Sequence, residues 1–315
     1  MKAAVNHEYG APEVVTVQEV PRPTPGAGQV LIRVLATTVN SGDARLRGAN
    51  FPRGFGPVAR LVFGLRRPRR QILGGVFSGV VEAVGEGVAE GWLGDEVAGM
   101  NGGVMGCHAQ YVVVSAKRLA RKPKSVSHRD AAAAMFGGTT ALHFLRDKAA
   151  VRAGERVLIN GASGSVGSAA ASLAHQLGAH VTGVCSGPHA GVVTAAGADR
   201  VIDYTQTPLA QLEERFDVVV DTVGNLGIEG GRRLLAPGGR LCLVAADLPT
   251  TLRARGNAFA GVSVESAAAF AGVLAQLESG ALKPVIEEVL PLERIREAHA
   301  RVDSGHKGGN LVIEP

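Results

Sequence analysis

A chain of 315 residues, 46% hydrophobic and 19% charged, has length for about two domains and apolar content for a sizeable core, which excludes an intrinsically disordered protein. The polar start MKAAVNHEYGAPE and the lack of a long apolar run point away from a signal peptide or membrane span, and three scattered cysteines without a disulfide framework predict a reducing cytoplasm. Much of the net charge of +5 sits in Arg60, Arg66, Arg67, Arg69 and Arg70, a solvated loop or a site for an anionic partner; no aromatics interleave there to stack bases, so nucleic acid is not expected.

The first 120 residues read as β-rich. Gln29–Val39 and Val76–Val84 carry strand-like runs bounded by Gly and Pro, and Asp95–Met100 and Gln110–Val114 add shorter strands. Residues 42–72 read as an irregular Gly/Arg-rich loop, a length that usually marks function or mobility. From His128 the stretch HRDAAAAMFGGTTALHFL predicts a helix, a Gly-Gly break and a second helix.

Strands and helices then alternate. Strands are expected at Arg156–Asn160, His180–Cys185, Arg200–Asp203, Phe216–Val223 and Gly239–Ala245, with helices at Ser165–Leu177 and Leu226–Leu235. Short apolar strands separated by helices predict an α/β fold with a doubly wound parallel sheet covered on both faces, placed at 121–250. Helices at Val264–Leu277 and Leu292–Val302 and strands at Pro284–Val289 and Leu311–Ile313 follow, and 251–315 is expected to return to the N-terminal domain.

The strongest chemical signal is Arg156–Gly167, RVLINGASGSVG, leading into a helix. Gly161, Gly164 and Gly167 recur at i, i+3 and i+6, with Ala162 in place of one glycine of the usual pattern. Such a turn lets the backbone approach a pyrophosphate, and the helix N-terminus supplies N–H groups to it. No Lys-Ser/Thr follows, so a Walker-type loop is excluded. After the second strand, Cys185-Ser186-Gly187-Pro188-His189 lacks the acid that would bind the ribose hydroxyls of NAD(H), which favours NADP(H), with Ser186, His189 and Tyr204 near the 2′-phosphate; NAD(H) stays second because the usual Arg or Lys is missing too.

No metal is expected. Cys107, Cys185 and Cys242 are far apart, Cys107-His108 stands alone, and the early strand ends in Asn40-Ser41-Gly42-Asp43 without zinc ligands. No Tyr has a Lys four residues on, as the other common ketone-reducing arrangement requires. Without metal or strong acid, conjugated acceptors such as quinones and enones suit better than simple ketones.

These residues resemble the zinc-free, quinone oxidoreductase-like branch of the medium-chain dehydrogenase/reductase superfamily. The resemblance rests on Val39-Asn40 with Asp43, Leu73–Gly85, Gly94–Val97, Gly138–Leu142, Asn160–Gly167, Gly197–Tyr204, Asp221–Gly224 and Gly305–Val312. It implies a GroES-like domain at 1–120 completed by the tail, and the nicotinamide in the cleft between domains. Asn40 and Asp43 would line the substrate side, and Thr140 the nicotinamide–ribose half. Gly161 and Ala162 form the turn, and Ser163, Gly164, Ser165 and Val166 would hold the pyrophosphate. Ser186 and Tyr204 would hold the adenosine phosphate, and Thr222, Val223 and Gly224 would edge the adenine and ribose. Lys307 and Asn310 would reach the nicotinamide end.

Arg45 stands where some quinone reductases of the branch place a Tyr, and would polarise a carbonyl or steer an acidic substrate. The expected activity is NADPH-dependent reduction of a quinone or α,β-unsaturated carbonyl. The alternatives are an enoyl reductase of carrier- or CoA-bound thioesters and a non-catalytic cofactor- or RNA-binding protein. The resemblance also implies a homodimer, with Gly239–Ala245 as the expected edge strand.

Overall fold

A computed structural model describes residues 1–315. Its strands are β1 (Lys2–Asn6), β2 (Val15–Glu19), β3 (Gln29–Val39), β4 (Val76–Val84), β5 (Glu96–Met100), β6 (Tyr111–Ser115), β7 (Leu119–Arg121), β8 (Arg156–Asn160), β9 (His180–Cys185), β10 (Arg200–Asp203), β11 (Phe216–Asp221), β12 (Leu235–Leu243), β13 (Ala258–Ala260), β14 (Ile286–Pro291) and β15 (Asn310–Glu314). Its α-helices are α1 (Ser41–Gly48), α2 (Gly56–Phe63), α3 (His128–Leu142), α4 (Ser165–Gln176), α5 (Ala190–Ala195), α6 (Gly227–Arg233), α7 (Leu248–Arg253), α8 (Ala267–Glu278) and α9 (Ile295–Asp303).

The apolar runs of β8, β9 and β11 are buried after at most two residues, as strands covered on both faces must be. They lie in a parallel six-stranded sheet of order β10-β9-β8-β11-β12-β13. The chain winds outward from β8 through β9 to β10, then crosses back to β11 and winds the other way. The reversal between β8 and β11 opens a crevice beyond their C-terminal ends, where ligands of such sheets bind. Strand β12 is not an edge, as its Gly239–Ala245 part was expected to be: β13 pairs with it through Leu241–Leu243, and the sheet runs on to Ala260.

The second sheet has order β14-β15-β3-β4-β5-β7, with β6 also on β3. The long strand β3 carries β4 and β6 on its first two-thirds and the C-terminal β15 on Thr37–Val39. The tail therefore completes the N-terminal sheet, and the loop before β15 is brought back to the crevice.

Two expectations fail for local reasons. Residues 42–72 are not a plain loop. Asn40 caps α1 in a reciprocal box with Asp43, and Pro57 in the first turn helps start α2. Nor does Gly137-Gly138 break α3, which runs through both residues into a π-helical turn at His143–Lys148. A Cβ on Gly137 would lie 2.3 Å from the Ser165 carbonyl oxygen, and one on Gly138 would lie 2.9 Å from a methyl carbon of Leu282. These glycines let helices approach.

Candidate functional site

The glycine turn closes the end of β8. Gly161 has φ +80°, and a Cβ there would meet Thr222 Oγ1 at 2.5 Å. Gly167 brings α4 onto the turn, because its Cβ would lie 2.1 Å from the Gly161 carbonyl oxygen. Gly164 differs from both. Its φ of −76° suits any residue, and a Cβ would meet only Gly161 O at 3.6 Å, so the space beside it is open. The first amides of α4 have no intrahelical acceptors and face this space. Ser165 is buried where α3 packs on α4: its Oγ lies against Gly137 and has no hydrogen-bond partner.

Polar residues at the ends of two apolar strands hold the opposite wall. Asp221 is fully buried; its Oδ1 accepts from Asn160 Nδ2 at 2.9 Å, Gly224 N at 2.9 Å and Val223 N at 3.1 Å, and its Oδ2 accepts from Leu226 N at 3.1 Å. Asn160 Nδ2 also donates to Asn225 Oδ1, and Thr222 Oγ1 donates to Asn160 O. Loop 222–226 is thus fixed by one carboxylate. Sequence gives Asn160, Asp221 and Asn225 no site role, although Asn160 and Asp221 open two of the motifs; the signal for them is a polar residue ending each buried strand, in RVLIN and FDVVVD.

Three cavities adjoin this wall. The first, of about 430 Å³, is lined by Gly161, Ser163, Ser186, His189, Tyr204 and the tail loop Gly305–Lys307. Ser186 Oγ and His189 Nδ1 are 3.0 Å apart. An acid does stand at this corner, but on β10: Asp203 Oδ1 accepts from Thr205 N and Oγ1, and its other oxygen sits under Gly187. The second, of about 260 Å³, runs from Ser163–Val166 to Asn40 and Ser41, with Phe136, Thr222 and Lys307 in its lining. The third, of about 390 Å³, lies between Arg45–Pro52 on one side and Asp221, Gly224 and Leu243–Thr250 on the other.

Lys307 borders the first two cavities, and its Nζ donates to Gly309 O at 2.6 Å. Loss of surrounding water pushes its pKa down to about 8; Glu287 opposes the shift and Arg301 adds to it. Asp43 is buried and lines none of these cavities. Its Oδ2 accepts from Asn40 N at 2.9 Å and its Oδ1 from Gly74 N at 3.2 Å. Burial raises its pKa, against the pull of His108 and of the amides of Asn40, Gly74 and Gly75.

No three His, Cys, Asp or Glu side chains come together to hold a metal. Cys107 is packed in an apolar cluster, where burial pushes its thiol well up, and His108 Nε2 lies 3.1 Å from Thr38 O.

Two family models match the chain: an alcohol dehydrogenase GroES-like domain over residues 26–124, and a zinc-binding dehydrogenase over residues 196–313. A quinone oxidoreductase of Sus scrofa is 31% identical over 95% of this chain and 93% of its own length. The chain belongs to the quinone oxidoreductase-like family of medium-chain dehydrogenases/reductases. Among solved structures, the quinone oxidoreductase of Coxiella burnetii superposes with a TM-score of 0.87 at 28% identity, covering 100% of this chain and 99% of that one. An NAD-dependent alcohol dehydrogenase superposes at 0.82 with 29% identity, covering both chains fully. One fold thus carries both names, and the fold does not decide cofactor or acceptor.

Within this quinone oxidoreductase-like chain, the crevice brings together Gly161, Ser163, Gly164, Ser165, Val166, Thr222, Val223, Asn40 and Lys307, with Ser186 and Tyr204 at one end and Arg45 and Gly224 at the other. Ala162 is fully buried beneath the turn, its amide donating to Val184 O. Thr140 is buried and its hydroxyl donates to Phe136 O, one helical turn back. Asn310 is buried at the start of β15, and its Nδ2 donates to Val285 O at 2.9 Å.

Proposed function

We propose that this protein is an NADPH-dependent reductase of quinones or α,β-unsaturated carbonyls, working without a metal. The observation that carries the cofactor reading is the glycine turn itself, where Gly164 leaves open space at the head of α4 and at the switch point of a parallel sheet. A pyrophosphate there would accept from the first amides of α4. Lys307 adds a cation at the same wall. The end of β9 carries Ser186 and His189 in place of an acid, and the one acid at that corner, Asp203 on the neighbouring strand, holds Thr205 and lies under Gly187, which favours NADPH over NADH. When bound, the cofactor supplies the hydride.

The chain's own donor set argues for the acceptor. Zinc does not fit: Cys107 is packed among apolar side chains, His108 Nε2 lies against Thr38 O, the Asp43 carboxylate is taken up by backbone amides, and no three such side chains converge. A simple ketone needs its oxygen stabilised strongly as hydride arrives. A conjugated acceptor needs less: an enone takes hydride at its β-carbon and a proton from water at its α-carbon, and a quinone becomes the hydroquinone. No protein acceptor takes Asn40 Nδ2, which leaves it free to donate to the acceptor's oxygen. Asp43 acts through Asn40, fixing the cap that aims it, and is a positioning residue.

The test is a fluorescence titration with NADPH and NADH, then turnover of 9,10-phenanthrenequinone, 2-cyclohexenone and acetone with and without EDTA. NADPH binding at least tenfold tighter, and quinone or enone turnover indifferent to EDTA, is expected. Tighter NADH binding would refute the reading of Ser186, and EDTA-sensitive acetone reduction would refute the metal-free chemistry.

A further inference from the structure

Most arginines here form an ion pair or donate to a carbonyl. Of those that do neither, Arg53, Arg66, Arg67, Arg70, Arg152 and Arg255 are exposed, where water solvates the charge. Arg45 alone is drawn into the structure without a partner. Its pKa is lowered, and desolvation is the only cause; no carboxylate compensates it. A guanidinium kept charged under partial desolvation and left unpaired is costly unless something else supplies the anion.

Arg45 borders two cavities: one of about 690 Å³ on the α1–α9 side, where Asp303 is already paired with Arg47, and the one of about 390 Å³ that reaches the crevice wall, across from Gly224, Ala245 and Thr250. The two acids of that cavity are already engaged. Asp221 accepts four hydrogen bonds, and Asp247 Oδ1 accepts from Thr250 N at 2.8 Å at the start of α7. The cofactor's pyrophosphate is not the missing anion on the reading above, because its cradle at Ser163–Val166 lines a different cavity, which Arg45 does not border.

We infer that Arg45 binds a carboxylate carried by the acceptor, so that the natural substrate is an acidic enone or quinone. The inference rests on the reductase reading for the reaction but not for the site. A single fork of N–H donors matches one carboxylate in a bidentate pair, and no second cation lines this cavity to draw a phosphate. Arg45 sets specificity by holding the acid end of the acceptor in the third cavity, leaving the conjugated end for the crevice.

The probes are trans-4-oxo-4-phenylbut-2-enoate and its methyl ester, with NADPH as donor. The expected result is a kcat/KM at least tenfold higher for the acid, falling to a ratio near one in Arg45→Gln and staying above one in Arg45→Lys. A merely structural Arg45 would lower both rates and keep the ratio. Binding is read separately, by calorimetry of the saturated 4-oxo-4-phenylbutanoate and its ester on the NADP-loaded protein. Tighter acid binding that Arg45→Gln abolishes supports the site even where neither enone turns over, a result that sinks the reductase reading instead. Equal binding of acid and ester to the wild type overturns the inference.

Discussion

Asp221 Oδ1 accepts a hydrogen bond from Asn160 Nδ2 at 2.9 Å, joining the C-terminal ends of β8 and β11 across the crevice. The same carboxylate collects three backbone amides of the next loop. Asp221→Asn would set an NH₂ against donors that now find an acceptor. Hydrogen bonds to a charged group contribute about 1.5–3 kcal/mol each and are not additive here. The expected loss is on the order of 3 kcal/mol in urea unfolding, with weaker NADPH binding because loop 222–226 loosens. An unchanged unfolding midpoint would show that the loop holds itself.

Gly137→Ala sets two effects against each other. Alanine gains roughly 1 kcal/mol of helix propensity in the interior of α3. Its Cβ would lie 2.3 Å from the Ser165 carbonyl, which is backbone and cannot swing aside. Overpacking of this kind costs about 1–3 kcal/mol, and here it pushes α3 off the head of α4. Net destabilisation with weakened cofactor binding is expected, measured by thermal melts with and without NADPH. A raised Tm would mean that α3 shifts freely.

That glycine pair also shows what the sequence conceals. The alternation of strands and helices, the glycine turn and the switch point all follow from local pattern, because buried parallel strands must be apolar and phosphate turns must lack side chains. The purpose of Gly137 depends on Ser165, a neighbour in space that no local window contains. Asp43 is similar: its spacing from Asn40 marks a helix cap, but its burial depends on the Gly74 amide. Asn310 follows the same rule: its motif sets it near Lys307, but its bond to the Val285 carbonyl depends on a segment brought alongside by the fold. Residues 42–72 read as loop because Gly and Arg hide two short helices whose caps, at Asn40 and around Pro57, are their clearest signals.

Gly164 and Gly167 give a contrast within one turn. Gly164→Ala has open space and an ordinary φ, and loses only the modest N-cap advantage of glycine over alanine at the start of α4, so its stability should fall by no more than about 1 kcal/mol. Its methyl would stand where the pyrophosphate is proposed, and NADPH affinity should fall at least tenfold. Gly167→Ala should instead lower Tm directly, since its Cβ overlaps Gly161 O. Calorimetry and thermal melts on the two variants separate the effects. Full NADPH affinity in Gly164→Ala would remove the phosphates from this turn.

On the proposed function, Lys307 should make cofactor binding depend on pH in a defined direction. Its pKa of about 8 lies below that of an ordinary lysine because burial disfavours the charged form, so the ammonium is present below about pH 8 and lost above it. A bound phosphate favours the charged form, raises this pKa and causes proton uptake on binding. NADPH should therefore bind several-fold more weakly at pH 9 than at pH 7, with an inflection near 8. In Lys307→Met the dependence through that window should flatten at the weaker value, while Lys307→Arg should hold the tighter one throughout. The measurement is Kd by nicotinamide fluorescence from pH 6.5 to 9.5. A wild-type profile as flat as that of Lys307→Met would place the phosphates beyond reach of this side chain.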